Sequence, residues 1–136
     1  MKRKLILFPL MTLLLLSACG AVAPATPSLE GTSWQLESLA GEPALPGTDV
    51  TIEFKDGQAG GQAGCNGYGG AYKVDGNEIT FRELASTLMA CADPAVMEQE
   101  SAYLQFLGEV QRFELVEGQL QLVRADGEAL VFVPAP

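Results

Sequence analysis

The sequence predicts a β-rich α+β fold behind a membrane-targeting leader, and three observations carry that prediction. Short segments with apolar residues at every second position recur through the chain and are separated by Gly, Asp and Asn turn signals, the pattern of half-buried strands. One stretch after Asp93-Pro94 switches to helical spacing. Between them, Gly57 to Gly70 is dense in glycine, which permits close backbone approach and sharp curvature, as at the corner of a closing barrel.

Taken in order, Lys2, Arg3 and Lys4 form a basic region ahead of an apolar run from Leu5 to Leu16, interrupted by Pro9 and Thr12. A permanent spanning helix needs about 20 apolar residues, so this run fits a cleavable secretory signal. Leu16-Ser17-Ala18-Cys19 then matches a bacterial lipobox. Residues 1–18 are therefore expected to be removed, Cys19 to be lipidated, and residues 19–28 (CGAVAPATPS) to form a tether of limited reach. Diacylation plus an N-acyl chain gives stable anchoring, since each buried CH₂ contributes about 0.8 kcal/mol. Residue 20 is Gly and not the Asp that retains such lipoproteins at the inner membrane. Resemblance to that class implies a periplasm-facing anchor in the outer membrane.

Residues 29–134 are predicted to form one domain, long enough to bury a core without metals. Loss of Lys2, Arg3 and Lys4 leaves five basic residues against 17 acidic ones, a balance of −12. Such a surface repels phosphate, so nucleic-acid binding, which depends on Lys and Arg releasing counterions, is not expected. The acidity maintains solubility and can steer a basic partner. A monomer is expected.

The first strand pattern is Thr32 to Leu39, with Trp34 and Leu36 on one face. Glu42 to Gly47 (EPALPG) breaks the chain, and Val50, Ile52 and Phe54 then alternate against Thr51, Glu53 and Lys55. Asp56-Gly57 supplies a tight turn, and Gln58 to Gly64 returns. Tyr72 and Val74 begin another strand, Asp75-Gly76-Asn77 turns it, and Ile79 and Phe81 lead back. Gly57-Gln58-Ala59-Gly60 repeats at once as Gly61-Gln62-Ala63-Gly64, yet no Gly-Lys-Ser or Gly-Lys-Thr follows and no helix pattern opens there. A phosphate-binding loop is not the expected role.

Asp93 is the predicted helix N-cap with Pro94 at the first helical position. Val96, Tyr103, Phe106, Leu107 and Val110 recur near helical spacing, with Glu98, Gln99 and Gln105 assigned to the wet side. The stripe is expected to cover one mouth or face of the sheet. Phe113 and Leu115, Leu120 and Leu122, and Leu130 and Phe132 mark three further strands, joined by turns at Glu117-Gly118 and Asp126-Gly127 into a β-meander.

Two motifs give a specific resemblance. Gly64-Cys65-Asn66-x-Tyr68-x-Gly70-x-Tyr72, then Leu84-Ala85-Ser86-Thr87-x-Met89-Ala90-Cys91 and a helix from Asp93-Pro94, are similar to the META domain, the family of the heat-shock protein HslJ. The likeness runs over about residues 29 to 133, including Gly31-Thr32-x-Trp34 and the closing meander. It implies a compact, barrel-like curled antiparallel sheet of about seven or eight strands with one principal helix. It also implies a bacterial envelope lipoprotein linked to stress tolerance, without an established catalytic residue set. The chain departs from the pattern at Leu88, where many relatives carry Arg.

With Cys19 consumed by lipid, Cys65 and Cys91 form an even pair in an exported protein, and oxidising conditions favour a disulfide. Closing that loop would contribute about 3.5 kcal/mol on the chain-entropy estimate. The alternative, a nucleophilic thiolate, needs a base or cation to lower its pKa. The chain has no His. Ser-His-Asp and Cys-His catalysis lose their base and zinc sites lose their commonest nitrogen ligand, so no enzyme, cofactor or metal is expected. Asn66 and Thr87 either line a polar site or satisfy backbone near the cysteines. The leading function is a non-enzymatic envelope module that binds a protein or supports stress tolerance. Two other classes stand beside it: a carrier enclosing a small apolar ligand or acyl chain in the curled sheet, and a proteinase inhibitor acting through an exposed loop at Glu42 to Gly47.

Overall fold

The computed structural model describes residues 27–136. Its strands are β1 (Thr32–Leu39), β2 (Glu42–Pro43), β3 (Asp49–Lys55), β4 (Gln58–Gly64), β5 (Gly67–Asp75), β6 (Glu78–Ser86), β7 (Val110–Val116), β8 (Gln119–Arg124) and β9 (Ala129–Pro134), with helix α1 (Pro94–Glu109) between β6 and β7. Sequence neighbours pair antiparallel from β3 to β9, β1 lies beside β3, and β1 also pairs with β9 along Trp34 to Leu39. That last pairing closes eight strands into a barrel.

The short β2 hangs on the outside of the closed ring, paired only to Ser38 and Leu39 of β1. The sequence reading treats Glu42 to Gly47 as a break. The hairpin that makes β2 turns through Ala40 and Gly41 at φ 48° and 86°, and a left-handed Ala gives no turn signal in the sequence. Two further boundaries move. β5 starts at Gly67 and not at Tyr72, and Val110 is the helix C-cap and first residue of β7.

Closure is uneven around the ring. β6 and β7 share one ladder pair, Glu78 with Arg112, supplemented by Phe113 N–H donating to the Asn77 carbonyl at 2.9 Å. Helix α1, the connection between these two strands, packs against β4, β6 and β8. Asp93 caps it by accepting from Ala95 N–H at 2.9 Å, and Pro94 occupies the first turn where no N–H is missed.

The core fills the barrel. Alternation sends Val50, Ile52 and Phe54 of β3 inward with Leu120, Leu122, Leu130 and Phe132 of the meander, and the helix adds Tyr103, Phe106 and Leu107. Full burial of each such side chain stabilises by about 1.5–3 kcal/mol. Tyr103 meets Tyr68 and Phe132 edge-on, with ring centroids 5.5 and 6.4 Å apart. Tyr68 Oη donates to the Thr51 carbonyl at 2.8 Å, so the 2.6 Å contact between the two tyrosine hydroxyls has Tyr103 as donor. Burial pushes both phenols well above their ordinary pKa.

The glycines of β4 and β5 serve close packing. A Cβ on Gly60 would lie 2.6 Å from the Tyr68 carbonyl oxygen, and one on Gly70 would lie 2.6 Å from that of Arg82. Gly70 is also where β5 shifts register against β6.

Candidate functional site

The two sequence motifs meet at one end of the barrel. β4 runs out at Gly64, and Cys65-Asn66 turn the chain into β5, with Ala63 N–H donating to the Asn66 carbonyl at 2.8 Å. Asn66 is 1% exposed and each side-chain atom that can bond is engaged. Its Oδ1 accepts from Thr87 Oγ1 at 2.8 Å and from Met89 N–H at 2.7 Å, and its Nδ2 donates to the Met89 carbonyl at 3.2 Å. The Thr87 N–H donates to Gly67 at 2.9 Å. A single buried amide thus holds the Thr87 hydroxyl before residue 88 and the Met89 backbone after it.

The carboxylate behind Asn66 comes from the helix. Glu100 is 5% exposed; one oxygen accepts Asn66 Nδ2 at 2.6 Å and the other accepts the backbone N–H groups of Asn66 and Cys65 at 2.7 and 3.1 Å. Burial alone would raise its pKa, but these three donors outweigh burial and hold the carboxyl below its ordinary range. Glu100 has no functional or structural role in the sequence reading. The spacing contains the signal: Val96, Glu100, Tyr103 and Leu107 step by four, three and four, which puts the carboxylate inside the apolar stripe. A Glu in that stripe needs buried donors.

Cys65 and Cys91 are joined in a disulfide with their Cα atoms 6.2 Å apart. The bond ties the β4–β5 turn to the residue two places before the helix cap. Between Ser86 and Asp93 the chain forms no regular structure, yet it is held by the disulfide, Asn66 and Gly67. On this segment Leu88 is 94% exposed and Met89 57%. Ala90 is exposed as well.

The remaining motif residues divide between core and rim. Gly64, at φ 121°, turns the strand end beneath Val96 of the helix, and Tyr68 belongs to the core. Tyr72 lies toward the opposite end of the barrel. Its Oη donates to Glu30 at 2.7 Å, its ring stands edge-on to Phe54, and desolvation together with the Glu30 charge pushes its pKa up to about 12. The predicted signal over residues 1–18, Cys19 and most of the tether lie outside the described residues.

The loop proposed from sequence as an inhibitory surface is exposed at Glu42, Pro43, Pro46 and Gly47, and half-buried at Ala44 and Leu45. Glu42 to Gly47 contains β2, Leu45 N–H donates to Gln99 Oε1 at 2.7 Å, and Gln99 Nε2 donates to Thr48 Oγ1 at 3.2 Å. Gln99 is therefore a brace between helix and loop, half-buried, and not a wet-side residue. An apolar surface groove of about 340 Å³ runs between this loop and the helix, past Leu39, Pro43, Leu45 and Ala102. A wider groove of about 750 Å³ crosses the outside of the sheet over Gly60, Gly69 and Gly70.

What the clamped end can do chemically follows from its bonding. The cysteines are spent on each other, and Glu100 is saturated with donors. Such a site holds a peptide segment in place and offers neither base nor thiolate to a substrate. Among the described residues no three His, Cys, Asp or Glu side chains converge as a metal-binding group.

The sequence model of the family described as META domain matches residues 27–136. The chain belongs to the META domain family. Heat shock protein HslJ of Escherichia coli (strain K12) is 28% identical over 116 residues, covering 82% of this chain and 83% of HslJ. A Burkholderia xenovorans protein solved by NMR superposes with a TM-score of 0.68 at 31% identity, covering 85% of this chain and 93% of that one. A second NMR structure gives 0.64 at 29% identity, over 78% and 91% of the two chains. In this META domain the paired motifs form one clamp.

Proposed function

We propose that this META protein is a lipid-anchored module of the bacterial envelope that binds a protein partner through the Thr87–Ala92 loop and contributes to stress tolerance. One observation carries the binding assignment. Leu88 is the most exposed large apolar side chain of the described residues, at 94%, and it sits on a segment whose neighbours are immobilised by a buried Asn, a disulfide and a helix carboxylate. Holding an exposed apolar side chain on a rigid support removes the ordering cost that a partner would otherwise meet. Support for the envelope comes from the leader and lipobox, and support for stress from the name of the relative HslJ. The carrier reading receives less support, because the barrel interior is filled by Phe54, Tyr103, Leu120 and Phe132.

The test uses a deletion strain complemented with the full chain, carrying a photo-crosslinking residue at position 88 or, as control, at the exposed Lys73. Wild type is expected to restore survival under heat and detergent stress, with a discrete adduct from position 88 and none from 73. Leu88→Asp should lose complementation at unchanged abundance. Full complementation by Leu88→Asp, or equal adducts from both positions, would remove the loop from the function.

A further inference from the structure

Resting on the reading of the Thr87–Ala92 loop as a protein-binding surface, we infer the class of partner: a serine protease with an apolar primary specificity pocket. The loop presents Leu88 to that pocket as a substrate would, and the Leu88–Met89 peptide bond is the one placed at the catalytic serine. The protein is then an inhibitor that is bound as a substrate and released slowly.

Four features of the structure converge on this bond. The first is presentation. A protease pocket of this kind engulfs an entire side chain, and Leu88 leaves 94% of its surface free for that purpose. Its neighbours are uncharged: Ser86, Thr87, Met89, Ala90 and Ala92 place no charge beside the bond, and no proline blocks an extended approach within the loop. The second is support on each side. Thr87 is fixed through its Oγ1 and its N–H, and Met89 through its N–H and its carbonyl, so residue 88 stands between two clamped neighbours. An ordinary surface loop must pay ordering entropy to fit a protease cleft, and this one is already ordered.

The third feature is covalent. Cys65 precedes the bond in the chain and Cys91 follows it, so the disulfide spans the point of cleavage. Cutting Leu88–Met89 leaves the two pieces joined and the barrel closed. The fourth concerns the product. Met89 nitrogen lies 2.7 Å from Asn66 Oδ1, so the amine released by cleavage stays bonded to the same buried amide.

The chemistry balances as an ordinary acyl transfer. The protease serine Oγ attacks the Leu88 carbonyl carbon; a C–O bond forms, the Leu88–Met89 C–N bond breaks, and the serine proton passes through the protease's base to Met89 nitrogen. Water could then hydrolyse the ester. Here the Met89 amine, held in place, attacks the same carbonyl first, reforms the peptide bond and returns the proton to the serine. Proximity of this kind favours an intramolecular nucleophile strongly over solvent.

The experiment uses the purified mature protein with its disulfide intact, and chymotrypsin and trypsin as probes. Chymotrypsin has an apolar slot and trypsin an acidic pocket. Chymotrypsin is expected to be inhibited tightly at a one-to-one ratio, as protease–inhibitor pairs are among the tightest complexes of their size, and trypsin at least about 100-fold more weakly. Leu88→Gly should lose about 100-fold or more against chymotrypsin. Leu88→Arg should transfer the preference to trypsin; at a side chain this exposed, neither change disturbs folding. Prolonged incubation should yield a form nicked at Leu88–Met89 that separates into two chains only under reductant. Asn66→Ala, if it folds, should be cut faster and inhibit only transiently.

Fast cleavage without inhibition would overturn the inhibitor assignment, while still marking the loop as a recognised protein surface. Absence of both inhibition and cleavage, or inhibition indifferent to residue 88, would overturn the inference altogether, including the case in which the loop docks a second copy of this chain. The in-cell crosslink from position 88 reports on the binding reading independently, so the two failures are separable.

Discussion

Glu100 brings the helix, the β4–β5 turn and the disulfide into one arrangement, and its protonation state is part of the fold. Three N–H donors hold its native pKa below the ordinary value against the opposing effect of burial. A depressed native pKa contributes stability that is fully present above the unfolded carboxyl's pKa of about 4.3, and that is lost as pH falls through the lower native value. Glu100→Gln replaces one acceptor by an amide donor facing N–H groups, which should cost about 1–3 kcal/mol at neutral pH. The variant should also lose part of the stability change between pH 5 and pH 3. Urea unfolding of both proteins across that range checks this, and identical pH slopes would show that Glu100 is not the titrating group. At this scale the sequence was legible where chemistry is unambiguous, as in the absence of His. It was silent on Glu100 and on the exposure of Leu88, because both depend on which surface the neighbouring element covers.

At the scale of elements, hairpins were the most readable feature. Asp56-Gly57 and Glu117-Gly118 sit at φ 54° and 74° and at φ 52° and 83°, the left-handed pairs that a two-residue hairpin requires. The β2 hairpin and the Leu45–Thr48 segment were unreadable, since one turns on a left-handed Ala and the other is held by Gln99 from the distant helix. The glycine strands were legible as curvature but not glycine by glycine. Gly70 and its neighbour Gly69 separate the cases. A Cβ at Gly70 meets the Arg82 backbone at 2.6 Å, whereas at Gly69 the nearest atom is 3.7 Å away. Gly70→Ala should therefore lose about 1–3 kcal/mol through forced backbone shifts. Gly69→Ala should be neutral or gain up to about 1 kcal/mol, because Ala restricts the unfolded chain. Thermal melts of the two variants decide it; equal losses would mean that strand propensity, and not close approach, sets the requirement.

The whole molecule has two ends with different duties. The described chain enters beside the β3–β4 hairpin, where Gly31 N–H donates to the Phe54 carbonyl at 2.7 Å and Glu30 accepts from the Asp56 N–H and from Tyr72. Because Asp49 pairs with Gly64 and Lys55 with Gln58, the clamped turn at Cys65-Asn66 lies at the far end of β4, about 20 Å away along the strand. If residues 19–28 tether the domain through a lipid at Cys19, the entry end faces the membrane and Leu88 points away from it. The prediction uses the lipidated protein in vesicles containing brominated lipid, with a fluorescent residue at position 56 or at position 88. Quenching should be strong at 56 and weak at 88, and Cys19→Ala should abolish both by releasing the protein from the vesicles. Stronger quenching at 88 would mean that the exposed Leu88–Met89 pair enters the bilayer, which would withdraw the loop from any protease and make it a second membrane contact.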